Sequence, residues 1–491
     1  MTRAVAAAAL ALMAASLRLP KLADRPMHAD EAILADKLGT LLDTGRYEYD
    51  PRDYHGPVLA YCALAPAHLT GRTSYPRLTE STLRIVPAIA GILLALSPLL
   101  FSSAIGFPAV WIAGGLLAVS SAAAYYSRDY IPETLLALWT AAFLWSLWKA
   151  GEKATAAWWA LAGCLAGVMC ATKETAVMAL AGSAAAAILA WRPKTTRWRF
   201  AAAFASAFCL ALSFLLAPPW RWGLIGSAAE SYLHRGVTSG WHGYPWHYYL
   251  GLLTGVAGGP GELLIFALGL AGAAIAFGSG NQVLRFFAWY GPLIAVLYSA
   301  IPYKTPWCIL SILYPFAILG GVAVGCCWRR RRLLMSALLT VVMIHSAWQA
   351  WLACTRDASD PHNQWVYAQT STGVFKIRDK VADLARAAEQ GRQVAVDVYS
   401  SQNLWPLPWY FRDYPNVHWW RSVPAQGRAA PIVLITPDEE PGLVRLLYQA
   451  PPPGERELYV PMFEDYVELR PSIEVRGYVS KQLRDRLGTK R

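Results

Sequence analysis

His28, Asp30 and Glu31 fall within four residues of one another, a few positions beyond an apolar stretch. A carboxylate held near an apolar surface is a candidate general base, because partial desolvation raises its pKa toward the working range. Two acids on a solvated helix face are the plainer alternative. Arg128, Asp129 and Glu133 form a second group, with Pro132 suited to the first turn of a helix and Glu133 placed near its positive end. An arginine there can grip a phosphate through two parallel hydrogen bonds, or it can pair with Asp129 and cap the loop. Lys173 and Glu174 separate two apolar stretches with almost no loop between them. Such a turn holds both charges at the depth of a membrane interface, where they either act on a ligand or neutralise each other. The turn Pro302-Tyr303-Lys304-Thr305-Pro306-Trp307 presents one lysine, a point charge suited to a lipid phosphate or to snorkelling. His242 and His247 are separated by glycine and proline, which break any helix that would align them as metal ligands, and no nearby acid completes a set. No metal site is expected. The aromatics around these histidines suit stacking on a sugar ring or seating at a membrane interface.

These groups sit between apolar segments of helical length. The chain has 491 residues, of which only 15% are charged, and its mean hydropathy is positive. That composition is too apolar for a soluble protein of this size. About eleven spans are expected, at 4–20, 82–104, 107–125, 132–149, 156–171, 175–191, 200–217, 259–278, 284–301, 306–327 and 333–354. The intervening loops alternate in character. Arg3 and the loops at 149–153, 192–199, 285 and 329–332 hold 12 Lys and Arg against one acid, Glu152. Lysine and arginine retained on one side set orientation, so these loops belong in the cytoplasm and the chemically suggestive loops outside it. The net charge of +12 is therefore a topology signal, not a nucleic-acid surface, because it is spread over separate loops. The eight cysteines show no CxxC spacing and read as small buried hydrophobes. Residues 4–19 resemble a signal peptide in length, but an uncleaved first helix is the reading adopted, and either leaves His28 outside.

The expected organisation is an all-α polytopic membrane domain over residues 1–355, followed by a small extracytoplasmic α/β domain over 361–491. Two outer loops of the first domain are long, 21–81 and 218–258. The first holds a helical stretch, Asp30 to Leu42, and a segment from Tyr54 to Tyr61 that is too short to span and is expected at the interface. In the second domain Gln364 to Glu389 and Gly442 to Ala450 read as helices. Gln393 to Ser400 and Pro431 to Thr436 read as buried strands, with one or two more between Tyr466 and Val479. The aromatic stretch Trp405 to Tyr414 suits a glycan or a protein partner, or packing against the membrane region. Taken together, acids, a few cations and aromatics on one outer face suit a phosphate-bearing lipid and a polar group transferred at the membrane surface.

These residues carry a resemblance. The acidic pair after the first helix, the segment Tyr54-His55-Gly56-Pro57-Val58-Leu59, the Arg128/Asp129 element before Pro132-Glu133 and the C-terminal outer domain resemble the GT-C glycosyltransferases. The nearest branch is similar to the protein mannosyltransferase and aminoarabinose transferase group. Within it, Lys173-Glu174-Thr175 and the Pro302–Trp307 element resemble a flippase activity-associated subfamily. The resemblance covers about residues 1–355. It implies an inner-membrane hexosyltransferase that uses a polyprenyl-phosphate sugar, with no metal or other cofactor, and a glycan, lipid or protein acceptor outside. It implies Asp30 as the base that activates the acceptor, beside Glu31, with inversion at the anomeric carbon. His28, His55, Arg128, Asp129, Glu133, Lys173, Glu174, His242 and Lys304 are the substrate-site candidates. His55 stands where relatives often carry lysine, so Arg128, Lys304 or Lys173 would supply the charge. A flippase component or a non-catalytic scaffold for lipid-linked sugars is the alternative. Ionisable groups at helix ends, and not at mid-membrane depth, favour an enzyme over a transporter.

Overall fold

The computed structural model describes residues 3–50, 55–191, 198–215, 223–238, 240–256, 261–328 and 331–489. Tyr54, the basic stretch 192–197 and Arg329 and Arg330 lie outside the described residues. Among the described residues the expected apolar spans are largely helical, from Arg3–Arg18 to Arg332–Cys354. Four helical stretches among the described residues are long and apolar enough to cross a membrane by length and composition: Glu80–Ile105, Gln282–Ala300, Pro306–Trp328 and Arg332–Cys354. Others are shorter apolar helices, including Ala156–Thr172 and Ala176–Ala190. The expected span 107–125 shows why some are short. Its helix stops at Val119, and Ser120 turns the chain and accepts from Ala123 N to start a second helix, Ser121–Tyr126. The buried Glu262 carboxylate fills the break, accepting from Ser120, Ser121 and the Ala122 amide. The Tyr54–Tyr61 segment is more regular than expected, because an apolar helix, Val58–Leu69, follows Pro57.

Contacts divide the chain into two compact units. The first comprises 1–22, 44–71 and 80–367. At its centre the Ile309–Trp328 helix is buried from Ile309 to Val324, as an all-apolar helix must be. The Leu263–Phe277 helix lies so close that a Cβ on Gly272 would collide with the Leu319 carbonyl. This unit also takes in residues beyond the expected boundary at 355. Tyr125 donates to Ala358 O, Tyr126 to Trp365 O, and the fully buried Trp365 to Ser121 Oγ.

The second unit comprises 23–43, 72–79 and 368–491. Its sheet contains β1 (Val396–Tyr399), β2 (Val417–Trp420), β3 (Ile432–Ile435), β4 (Tyr459–Pro461) and β7 (Arg476–Ser480), in the order β2-β1-β3-β7-β4. β1 is parallel to β2 and β3, and β7 is antiparallel to β3 and β4. A separate antiparallel pair joins β5 (Glu468–Arg470) to β6 (Ile473–Glu474). β1 and β3, read from sequence as buried strands, are buried at every position. β2 was not legible in that way because its side chains are largely exposed. The expected helix from Gln364 begins only at Gly373. The residues before it are bonded elsewhere: Gln369 and Thr370 donate to the carbonyls of Pro26 and Met27. Two pieces of the first long loop thus belong to the C-terminal unit, and the α/β domain is built from three stretches of chain.

Candidate functional site

In the first unit the three-residue turn between the Ala156–Thr172 and Ala176–Ala190 helices organises the polar residues. Lys173 and Glu174 do not neutralise each other. Lys173 pairs with Glu133, and both side chains are buried. Glu174 turns the other way, to His55 Nδ1 at 2.8 Å. The ring nitrogen of His55 also meets the Tyr232 hydroxyl at 3.3 Å, on the Gly223–Thr238 helix. Gly56 makes this possible: any Cβ there would collide with the Ala171 carbonyl, so glycine lets His55 approach the turn. Burial alone would raise the Glu174 carboxyl, but the charge and hydrogen bond of His55, helped by Tyr232, hold it below the usual carboxylate value. A carboxyl depressed on folding contributes stability that is complete above its unfolded value and is lost as pH falls through the folded one. Glu174→Gln is therefore expected to destabilise the protein near neutral pH by about 1–2 kcal/mol. The difference from wild type should fade in thermal unfolding curves as the pH falls below 4.5. A gap that persists in acid would show that the loss is steric.

Arg128 is committed differently from the phosphate grip expected of it. Its guanidinium donates to the carbonyls of Leu17, Arg18, Pro20 and Lys21. It thereby closes the C-terminal end of the first helix, where carbonyls have no intrahelical donor. Arg18 does the same for the Phe107–Val119 helix, through Leu117 O and Ala118 O. Asp129 is buried in the same turn, and Pro132 stands before Glu133 at the start of the Glu133–Lys153 helix, as the sequence suggested.

Lys304 is also not the surface residue expected. It is 1% exposed. Its ammonium donates to Tyr244 O at 3.1 Å and to Ile301 O. No carboxylate faces it among the described residues. Burial pulls its pKa below the usual lysine value. The loops at 242–244 and 302–304 zip together through a bridge between Gly243 and Tyr303 and a bond from Lys304 N to His242 O. His242 stacks on Tyr303 with ring centroids 4.4 Å apart, and its Nδ1 meets the Tyr367 hydroxyl at 2.5 Å. His242 is thus an aromatic wall, and His247 is exposed. Trp307 lies 6.0 Å from the Lys173 ammonium, and Tyr249 donates to Thr305 O. Among the described residues no three His, Cys, Asp or Glu side chains form a metal donor set.

In the second unit the two acids divide their tasks. The Ala29–Thr44 helix opens with a reciprocal cap. Glu31 Oε2 accepts from His28 N at 2.9 Å, and His28 Nδ1 accepts from Asp30 N at 3.1 Å. Glu31 is fully buried by this role, whereas the Asp30 side chain is 51% exposed. Of the two acids, Asp30 is the one open to solvent. Arg470, at the end of β5, lies within Coulombic range of Asp30. One of its terminal nitrogens donates to Asn403 O.

Sequence reasoning missed Tyr232, Tyr249, Tyr367 and Arg470, none of which has a local signal. Trp307 and Thr305 lay inside a motif it singled out for Lys304 alone.

Residues 54–222 match the family model described as dolichyl-phosphate-mannose-protein mannosyltransferase. That stretch contains His55, Arg128, Asp129, Glu133, Lys173 and Glu174. No curated protein matches the chain in sequence. Among solved structures, ArnT from Cupriavidus metallidurans bound to undecaprenyl phosphate is similar, with a TM-score of 0.64 and 15% identity over 96% of this chain and 97% of that one. The oligosaccharyltransferase of Archaeoglobus fulgidus has a TM-score of 0.59 and 11% identity, over 85% of this chain and 63% of that one. The mycobacterial arabinofuranosyltransferase AftD has a TM-score of 0.51 and 15% identity, over 98% of this chain and 42% of that one. At these identities the likeness is one of fold.

Proposed function

We propose that this chain, a membrane protein of the GT-C glycosyltransferase superfamily and of the mannosyltransferase and ArnT kind, transfers a sugar from a polyprenyl-phosphate donor to an acceptor at the outer face of the inner membrane. The basic loops support an N-terminus in the cytoplasm and a C-terminal unit outside it. In the reaction, Asp30 takes the proton of an acceptor hydroxyl. The oxygen attacks the anomeric carbon, with inversion, as the bond from that carbon to the phosphate oxygen breaks. The electron pair leaves with polyprenyl phosphate.

The observation that carries this reading is Lys304. Four cationic side chains were candidates for the leaving phosphate. Arg128 is spent on carbonyls, Lys173 on Glu133, and His55 on Glu174. Lys304 is buried, and its ammonium meets only two carbonyls where the Arg128 guanidinium meets four. A buried ammonium without a counter-charge is costly, and an anion that binds there removes the cost. Stabilising charge that develops on a leaving group is a large part of such catalysis. The aromatic wall of His242, Tyr303 and Tyr367 suits the sugar or the first isoprene units. The reading needs no metal or cofactor.

The test is a panel of radiolabelled polyprenyl-phosphate sugars, each incubated with the full chain in lipid. Release of sugar from one donor supports the transferase and names its sugar. Binding of donors without release from any would favour a flippase component or a scaffold.

A further inference from the structure

The C-terminal unit holds the residue to which the reaction assigns the proton. Pro26 and Met27 precede the helix that carries Asp30. The Met27 amide donates to the Tyr410 hydroxyl at 2.9 Å, and the Met27 carbonyl accepts from Thr370 Oγ at 2.6 Å. Pro26 O accepts from Gln369 Nε2 at 3.1 Å. Met27 and Thr370 are wholly buried, and Tyr410 is 4% exposed. Behind this clamp, Ser371 N donates to Leu469 O of β5, and Gly373 packs so closely on Glu468 that a side chain there would strike its carbonyl. The aromatic stretch around Tyr410 grips the other piece of the first loop as well. Trp409 meets Tyr75 edge-to-face at 6.0 Å, and Arg412, stacked 3.8 Å over Trp409, donates to Leu78 O at 2.6 Å. Tyr75 in turn lies against Gly39, ten residues along the Asp30 helix from its start.

We infer that Tyr410 and Thr370 are positioning residues for the transfer reaction, fixing Met27 on both sides so that Asp30 points its carboxylate at the acceptor. The inference rests on Asp30 being the base. The capping pair of His28 and Glu31 sets the start of the helix, and the clamp sets where that start lies. The geometry of a proton acceptor matters at the scale of an ångström. Tyr410 and Thr370 do not touch the reacting atoms in this role.

The full chain in lipid is assayed for sugar release from the donor that the panel identifies. Tyr410→Phe and Thr370→Val each remove one hydrogen-bonding group and keep the shape. Each is expected to lower kcat by about three- to tenfold, the worth of one buried hydrogen bond. The KM for the donor should stay close to wild type, and the thermal midpoint should fall by no more than a few degrees. Amide exchange across residues 26–33 should accelerate in both variants. Unchanged kcat and unchanged exchange in both, with Asp30→Asn inactive, would overturn the inference and leave the function standing. So would a loss of kcat matched by loss of donor binding and of the thermal midpoint, because the two groups would then serve the fold at large. Wild-type activity in Asp30→Asn would instead remove the reading on which the inference rests.

Discussion

Asp30→Asn should lower sugar release by about 10²- to 10⁴-fold, the range attributed to general acid–base catalysis. The asparagine keeps the size and the hydrogen-bonding edge of the side chain, and loses only the capacity to take a proton. Because the Asp30 side chain is half exposed and does not serve the helix cap, the variant should fold and insert as wild type does. The neighbouring acid is the control. Glu31→Gln removes a buried carboxylate from the cap at His28 N. Its expected signature is reduced stability, about 1 kcal/mol for a lost capping interaction, with a smaller effect on rate. If Asp30→Asn retained full activity while Glu31→Gln lost it, the two roles would have to be exchanged. Radiolabel release and thermal midpoints, measured on both variants, decide the matter.

Lys304→Met should lower kcat/KM for the donor by about 10²- to 10³-fold, the usual cost of one group that stabilises developing negative charge. Methionine fills the same volume and leaves the Tyr244 and Ile301 carbonyls without their donor, so a modest loss of stability is expected as well. Lys304→Arg separates the two effects. It keeps the charge and should restore part of the activity, although a planar guanidinium fits the two carbonyls less well. A second contrast is Lys173→Met. Removing one partner of a buried pair strands the Glu133 carboxylate, so this variant should be poorly folded before it is slow. A Lys304→Met protein that binds and cleaves the donor normally would refute the assignment of the leaving phosphate.

Most of the membrane unit could be read from the chain, because apolar spans and basic loops report on a physical environment as simple as a bilayer. The apolar helices at those positions follow from that. The candidate residues were also legible as types: an acid near the first helix, a cation in each outer turn. Their pairings were not. Lys173 and Glu174 are adjacent in sequence, yet they point to opposite partners because one ends a helix and the other begins the turn to the next. Arg128 has the chemistry of a phosphate ligand and the position of a helix cap, and only the carbonyls of residues 17–21 decide between them. Glu31 and Asp30 differ by one position and by nearly everything in exposure. The part of the C-terminal unit that came from the first loop left no periodic signal, since residues 23–43 and 72–79 are recognisable as belonging to it only through contacts several hundred positions away.

That separation has a consequence for how the protein comes into being. The helix bearing Asp30 leaves the ribosome early, while Tyr410 and Thr370, which hold its start, follow 383 and 343 residues later than Met27. Contacts so distant along a chain form late and slowly. A nascent chain already threaded through the membrane would therefore carry its acid in an unfastened loop until Thr370 and Tyr410 had been made. An interrupted chain, stopped anywhere before residue 370, would be inserted and helical but unable to present that acid. Competence for chemistry would then wait on the synthesis of Tyr410.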